Sequence, residues 1–254
     1  MIEVLKIGGN IVDNEEVLDQ FIDLFSSENK PRVLVHGGGK IATRISKALD
    51  IETQMVNGRR VTDAETLKVV TMVYAGLINK TIVSKLQAKG INAIGLSGAD
   101  SNVIQSHKRT GSNVDYGFVG DVDQVNGTFL NKLIADGFTP VLSPITHDKK
   151  GLLLNTNADT IASVSAAALS ETSSTSLTYC FELPGVLTDI NDKNSVIEKI
   201  NPSSYKNLLE EGIIADGMIP KLGNCFDAIK KGVSNVRICH ALNLNTSIGT
   251  TLVS

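Results

Sequence analysis

Tryptophan is absent from the 254-residue chain and aromatic residues make up only 4% of it. That is too few to build stacking platforms for single-stranded nucleic acid. Cysteine is scarce too. Cys180, Cys225 and Cys239 are odd in number, far apart and form no Cys-x-x-Cys pair, so reduced thiols packed as small hydrophobes are expected rather than disulfides or a metal site. A surplus of one charge is also missing: 24 Lys and Arg face 27 Asp and Glu, a net charge of −3. The pairs Lys149-Lys150 and Lys230-Lys231 stand isolated, which leaves no electrostatic footprint for nucleic acid or a membrane surface. No run of about 18 apolar residues occurs, and Glu3 and Lys6 interrupt the N-terminus, so neither a membrane span nor a signal-peptide core is expected. The expected compartment is the cytosol.

What is present is enough apolar content, 42%, for a sizeable core. Short apolar runs alternate with longer amphipathic stretches, the pattern of an α/β chain with a mostly parallel sheet covered by helices on both faces. The spacing predicts strands at Ile2–Ile7, Arg32–His36, Ile91–Leu96, Thr139–Leu142, Leu152–Leu154, Leu177–Phe181 and Asn235–Cys239. It predicts helices at Glu15–Phe25, Lys40–Leu49, Asp63–Ala88 with a break near Gly76, Thr128–Asp136, Ala158–Leu169 and Asp216–Lys231. Thr62 is the expected cap of the long helix. Short antiparallel strands are expected over 103–107, 117–119 and 121–126, with Gly120-Asp121 as a hairpin turn. The strand–helix alternation restarts after Ala158–Leu169, which divides the chain into lobes of about 1–165 and 166–254.

Two glycine clusters follow two of the first strands: Lys6-Ile7-Gly8-Gly9-Asn10 and His36-Gly37-Gly38-Gly39-Lys40. In parallel sheets ligands lie beyond the carboxyl ends of strands, where helix N-termini favour negative charge. Either cluster alone also fits a tight turn with no ligand; two together point to an anion held from both sides. Neither is a P-loop, because position 34 is Leu and Lys40 is followed by Ile41. A dinucleotide fingerprint fits loosely as Gly37-x-Gly39-x-x-Ala42, but its acidic residue would fall near the basic Asn57-Gly58-Arg59-Arg60. Lys6 ends a strand expected to be buried on both faces, an expensive place for an ammonium without a counter-anion. Asn157 and Asp159 also fit a helix cap and a first-turn acid.

Taken in order, Lys6-Ile7-Gly8-Gly9, His36-Gly37-Gly38-Gly39, Asn57-Gly58-x-Arg60-Val61-Thr62, Asn155-x-Asn157-Ala158-Asp159 and Asp216-Gly217-Met218-x-x-Lys221 resemble the amino acid kinase family. The resemblance runs from Lys6 to Gly249-Thr250 and is strongest to members that phosphorylate an N-acylated glutamate. It implies a two-lobed, three-layer αβα sandwich and ATP-dependent phosphorylation of the γ-carboxylate of N-acetyl-glutamate or N-succinyl-glutamate, an early step of arginine biosynthesis. By that resemblance Lys6 and Lys221 would flank the phosphoryl group in flight and Asp159 would hold both ammonium groups. Gly37, Gly38, Arg60 and Asn155 would bind the acylglutamate. Gly8 and Gly9 would donate backbone N–H groups to phosphate, and Asn157, Glu182, Leu183, Gly185, Leu187, Ile213 and Ala215 would lie on the nucleotide side. Mg²⁺ would be held by phosphates and water, with no protein metal site. A homodimer without arginine feedback is expected, because the chain starts almost on its first strand.

Some wording departs from the family. Glu182-Leu183-Pro184-Gly185 carries a proline that removes one N–H donor. Residues 101–113 could reshape the acyl pocket, and an extra carboxylate on the acyl group would want another cation; Lys108 and Arg109 are candidates, against the simpler reading of a solvated loop. Other enzymes of the family (carbamate, aspartate, glutamate 5- or UMP kinases), a non-catalytic nucleotide-binding regulator and a Rossmann dehydrogenase remain as alternatives.

Overall fold

A computed structural model describes residues 1–56, 59–111, 113–214 and 217–254. The first part of the chain runs β1 (Ile2–Ile7), α1 (Gly9–Asp13), α2 (Glu15–Ser26), β2 (Arg32–His36), α3 (Gly39–Ala48), β3 (Met55–Val56) and β4 (Arg59–Arg60). Then come α4 (Ala64–Thr71), a π-helical segment (Met72–Ile78), α5 (Asn79–Ala88), β5 (Ala93–Leu96), β6 (Ile104–Lys108) and β7 (Gly120–Val125). The middle holds α6 (Gly127–Ala135), β8 (Thr139–Leu142), β9 (Ile145–His147), β10 (Leu153–Asn155) and α7 (Ala158–Ser170). The chain ends with β11 (Thr175–Phe181), β12 (Lys199–Ile200), α8 (Pro202–Glu210), α9 (Met218–Lys230), β13 (Asn235–His240) and β14 (Thr250–Leu252).

Eight strands form one sheet in the order β12-β14-β13-β11-β1-β2-β8-β5, continuous across the region where the sequence divides the lobes. All its pairings are parallel except β13 with β14. Period-two alternation splits β1 between two cores. Ile2 and Val4 pack with Ile161, Ala162 and Ala166 of α7 and with Leu222 and Cys225 of α9. Leu5 and Ile7 pack on the opposite face with Phe21, Ile22, Val70 and Ile82. The result is three layers, helix–sheet–helix. Lys6 has the parity of Val4, so it is delivered to the face of α7 and α9. That parity decides where the chemistry sits.

A smaller sheet, β10-β9-β6-β7, stands beyond the carboxyl ends of β2 and β8. It corrects the expected hairpin: Gly120 and Asp121 lie inside β7, paired with Lys108 and His107, and residues 109–119 make the connection. The glycine serves packing there, since a Cβ at Gly120 would lie 2.8 Å from Thr156 Oγ1. Residues 117–119 form only isolated bridges, Thr62 with Gly117 and Val119 with Asn155.

The stretch Ala64–Ala88 is long and apolar enough by length and composition to cross a membrane, a match that a search for unbroken apolar runs misses because polar residues interrupt it. In this fold Val69, Val70, Val73, Tyr74, Ile78, Ile82 and Leu86 of that stretch are core residues. Its cap is Asp63, which accepts from Thr66 N at 2.7 Å, rather than Thr62, which is pinned by Tyr116 and Phe118. The helix does not break at Gly76; it widens into the π-helical segment, closed by Asn79 N–H on the carbonyl of Tyr74.

Candidate active site

Three charged side chains meet at the carboxyl ends of the central strands. Asn157 caps α7, accepting from Asp159 N at 2.8 Å and Thr160 N at 3.1 Å, and this fixes Asp159 in the first turn. Lys6 Nζ lies 2.6 Å from Asp159 Oδ1, with only 7% and 11% of the two side chains exposed. Removing one partner of such a buried pair strands the other, at a cost of about 3–5 kcal/mol. Lys221, near the start of α9, reaches the same place. Its Nζ is 4.0 Å from the centroid of the Phe181 ring, and Lys6 Nζ is 5.5 Å from that same centroid. Two ammonium groups from opposite ends of the sequence therefore lie against one aromatic ring, which the parallel ring of Tyr179 neighbours. Burial lowers the pKa of Lys221; Asp159 pulls it back up, and the neighbouring Lys6 charge lowers it again.

The glycine turns touch each other beside these cations. Gly37 N donates to Ile7 O at 3.0 Å. A Cβ on Gly9 would lie 3.4 Å from both Gly38 N and Gly39 N, so the turn after β1 closes on the first peptides of α3. The Gly8 N–H donates to Cys180 O at 3.3 Å, which joins the end of β1 to β11. Gly38 has φ 158° and ψ 21°, and a Cβ there would lie 2.2 Å from Ile78 Cδ1. His36 is fully buried, its pKa lowered to about 4 by desolvation, and stays neutral. Its Nδ1 donates to Gly37 O at 3.0 Å while Nε2 accepts from Asn79 Nδ2 at 3.2 Å.

Gly37, Gly38, Arg60 and Asn155 line one cavity of about 200 Å³, together with Tyr74, Arg109, Val119, Pro144 and Asn157. Arg60 is buried; its Nη2 donates to Gly39 O at 2.9 Å and Thr43 Oγ1 at 2.7 Å. Its Nη1 is buried with no partner among the described residues. Asn155 Nδ2 donates to Thr62 Oγ1 at 2.9 Å. Arg109 is not the solvated side chain that the loop composition suggests. It grips Asp121 with Nε, at 3.1 and 3.0 Å from the two carboxylate oxygens, and also with Nη2. Its guanidinium lies 5.8 Å from the Tyr116 ring centroid, and its Nη1, like that of Arg60, is buried and unpartnered among the described residues. Lys108 is exposed, over Phe118.

A second cavity of about 370 Å³ gathers Leu183, Gly185, Leu187 and Ile213, with Val186, Asp189, Ile214 and Met218. Glu182 is not among its walls: its carboxylate accepts from Asn10 Nδ2 at 2.5 Å, tying the end of β11 to α1. Ala215 and Asp216 lie outside the described residues, as do Asn57 and Gly58. Phe181 and Tyr74 escaped the sequence reading as site residues, and the sequence offers Arg109 only as a candidate cation set against a solvated loop. For Phe181 the available signal was its position, two residues beyond Lys6's neighbour Tyr179 on the adjacent strand and on the same face.

The amino acid kinase family model matches residues 1–240. The chain belongs to the amino acid kinase family. Among similar proteins, the acetylglutamate kinase of Cytophaga hutchinsonii is 56% identical over 99% of this chain and 98% of its own length. That of Phocaeicola vulgatus is 57% identical over 98% and 97%. A crystal structure of a Streptococcus mutans protein superimposes with a TM-score of 0.82 at 28% identity, covering 99% of this chain and 98% of that one. The three-layer architecture and the order of the motif words are thus those of the amino acid kinase family along nearly the whole chain.

Proposed function

We propose that this chain catalyses the acetylglutamate kinase reaction: transfer of the γ-phosphoryl group of ATP to the γ-carboxylate of N-acetyl-L-glutamate, giving an acyl phosphate and ADP, an early step of arginine biosynthesis. The full-length relatives support the substrate. The observation that carries the chemistry is the meeting of Lys6 and Lys221 over Phe181 with Asp159 between helix and strand.

A carboxylate nucleophile with an ordinary pKa of about 4.3 is already ionised at neutral pH, so no general base is needed. The barrier is the approach of one anion to another. Ammonium groups placed where negative charge concentrates lower that barrier without reorganising during transfer. Asp159 holds Lys6 and, through the field that opposes desolvation, favours the charged form of Lys221. Gly9, Gly38 and Gly39 supply the close backbone approach, Arg60 the α-carboxylate contact and Asn155 the acylamide contact. Residues 1–165 serve the acylglutamate; 166–254 serve ATP through Leu183, Gly185, Leu187 and Ile213. Mg²⁺ enters with ATP as part of the substrate. Among the described residues no group of three or more His, Cys, Asp or Glu could hold an ion, and Asp159 is committed to Lys6. The ion is carried by phosphates and water. A cytosolic homodimer completes the proposal, supported by three free, buried cysteines and by the exposed Met72 and Leu77 on the π-helical segment.

A second reading of the acyl group, N-succinyl, is favoured by the unpartnered Nη1 of Arg109 in the cavity wall. ADP release should be measured with MgATP and N-acetyl-L-glutamate, N-succinyl-L-glutamate, glutamate, aspartate or carbamate. Turnover with one or both acylated substrates is expected. Turnover confined to an unacylated one refutes the proposal, and a preference for the succinyl compound that Arg109→Ala removes establishes the second reading.

A further inference from the structure

The π-helical segment has no role in the chemistry above, yet it touches the cavity. Such wide turns are rare and are frequent at functional sites. Here the segment brings two side chains onto the same glycine. A Cβ on Gly38 would lie 2.2 Å from Ile78 Cδ1 and 3.4 Å from the Tyr74 ring. Asn79, which closes the wide turn through its backbone N–H, also donates its side chain to Val141 O at 2.9 Å and to His36 Nε2. The turn is therefore locked to β8 and, through His36, to the carbonyl of Gly37. Tyr74 itself is only 6% exposed and lines the cavity with Arg60 and Gly38.

A phenol buried to that degree needs a partner. Burial raises its pKa, and the nearby Arg60 charge pulls the other way. The hydroxyl therefore stays protonated. Beside a guanidinium, which only donates, a phenol accepts through oxygen and keeps its own hydrogen for a third group. Arg60 Nη2 is fully used by Gly39 and Thr43, whereas Nη1 has no partner among the described residues. Arg60, with one donor unpartnered among the described residues, and Tyr74 line the same cavity.

We propose that Tyr74 is a substrate-binding residue that, with Arg60 Nη1, forms a two-point clamp on the α-carboxylate of the acylglutamate, and that the π-helical turn exists to bring its hydroxyl there. This rests on the assignment of the α-carboxylate to Arg60 under Proposed function. A packing role for Tyr74 needs only the ring against Gly38; the clamp needs the hydroxyl.

Tyr74→Phe keeps the ring and separates the two. Dissociation constants in the presence of MgADP should be measured by calorimetry for N-acetyl-L-glutamate and for 4-acetamidobutanoate, the same molecule without its α-carboxylate. The variant should bind N-acetyl-L-glutamate roughly ten- to a hundredfold more weakly, the range for a hydrogen bond to a charged group. It should bind 4-acetamidobutanoate as the wild type does, and MgADP unchanged. Equal affinity of wild type and variant for N-acetyl-L-glutamate overturns the clamp, as does an equal loss for both ligands. A wild type that binds N-acetyl-L-glutamate with the expected dependence on Tyr74 but does not turn it over leaves the clamp standing and refutes the kinase reaction. A wild type that binds neither overturns both.

Discussion

The site is cationic at both ends, and the two ends use different cations. At the proposed transfer point the charges are ammonium groups, Lys6 and Lys221, beside a buried carboxylate and one aromatic ring. In the cavity wall they are guanidinium groups, Arg60 and Arg109, already gripped on one edge by Gly39, Thr43 and Asp121 and unpartnered on the other among the described residues. An ammonium is a compact point charge that suits a place where charge moves; a fork with fixed spacing suits a carboxylate that stays put. On the proposed function, one substrate molecule would be read twice, once for position by the arginines and once for reaction by the lysines, so that the arginines would govern KM and the lysines kcat.

The largest effect that sharpens this contrast is expected from the lysines. Lys6→Met and Lys221→Met should each lower kcat by about 10²-fold or more, as loss of one transition-state donor does. KM for the acylglutamate should move little by comparison. Steady-state kinetics check this, and near-normal kcat in both variants would erase the distinction. The next effect belongs to the other end. Arg60→Lys keeps the charge but not the fork, and should raise KM for N-acetyl-L-glutamate by about tenfold while kcat changes far less. A kcat loss as large as that of the lysine variants would show that Arg60 acts at the transfer point instead.

Legibility followed the same division. The transfer point could be read from the chain because each of its residues stands at a punctuated spot: Lys6 at a strand end before glycines, Asp159 behind the cap Asn157, Lys221 shortly after a helix start. Strand parity then carries Lys6 to the face of α7 with no further information. The arginine end could not be read so well. The partner of Arg109 is Asp121, twelve residues away across the β6–β7 ladder, and a polar loop composition looks solvated until that pairing is known. The hairpin at Gly120-Asp121 was misplaced for a related reason: a Gly-Asp dipeptide signals a turn, but this glycine is required by Thr156 packing against it. The segment after β11 hid α8, β12 and β14. Strands of two or three residues carry too little alternation to register. Helix α8 did leave a signal, the Asn201-Pro202 start with Ser204 completing a capping box.

The most direct test is a structure of the chain with MgADP, N-acetyl-L-glutamate and aluminium fluoride standing in for the phosphoryl group. Nζ of both Lys6 and Lys221 should lie within hydrogen-bonding reach, about 3 Å, of the fluoride group, with Asp159 still against Lys6. A complex in which either ammonium is turned away from that group, with no reacting carboxylate between the glycine turns, contradicts the account.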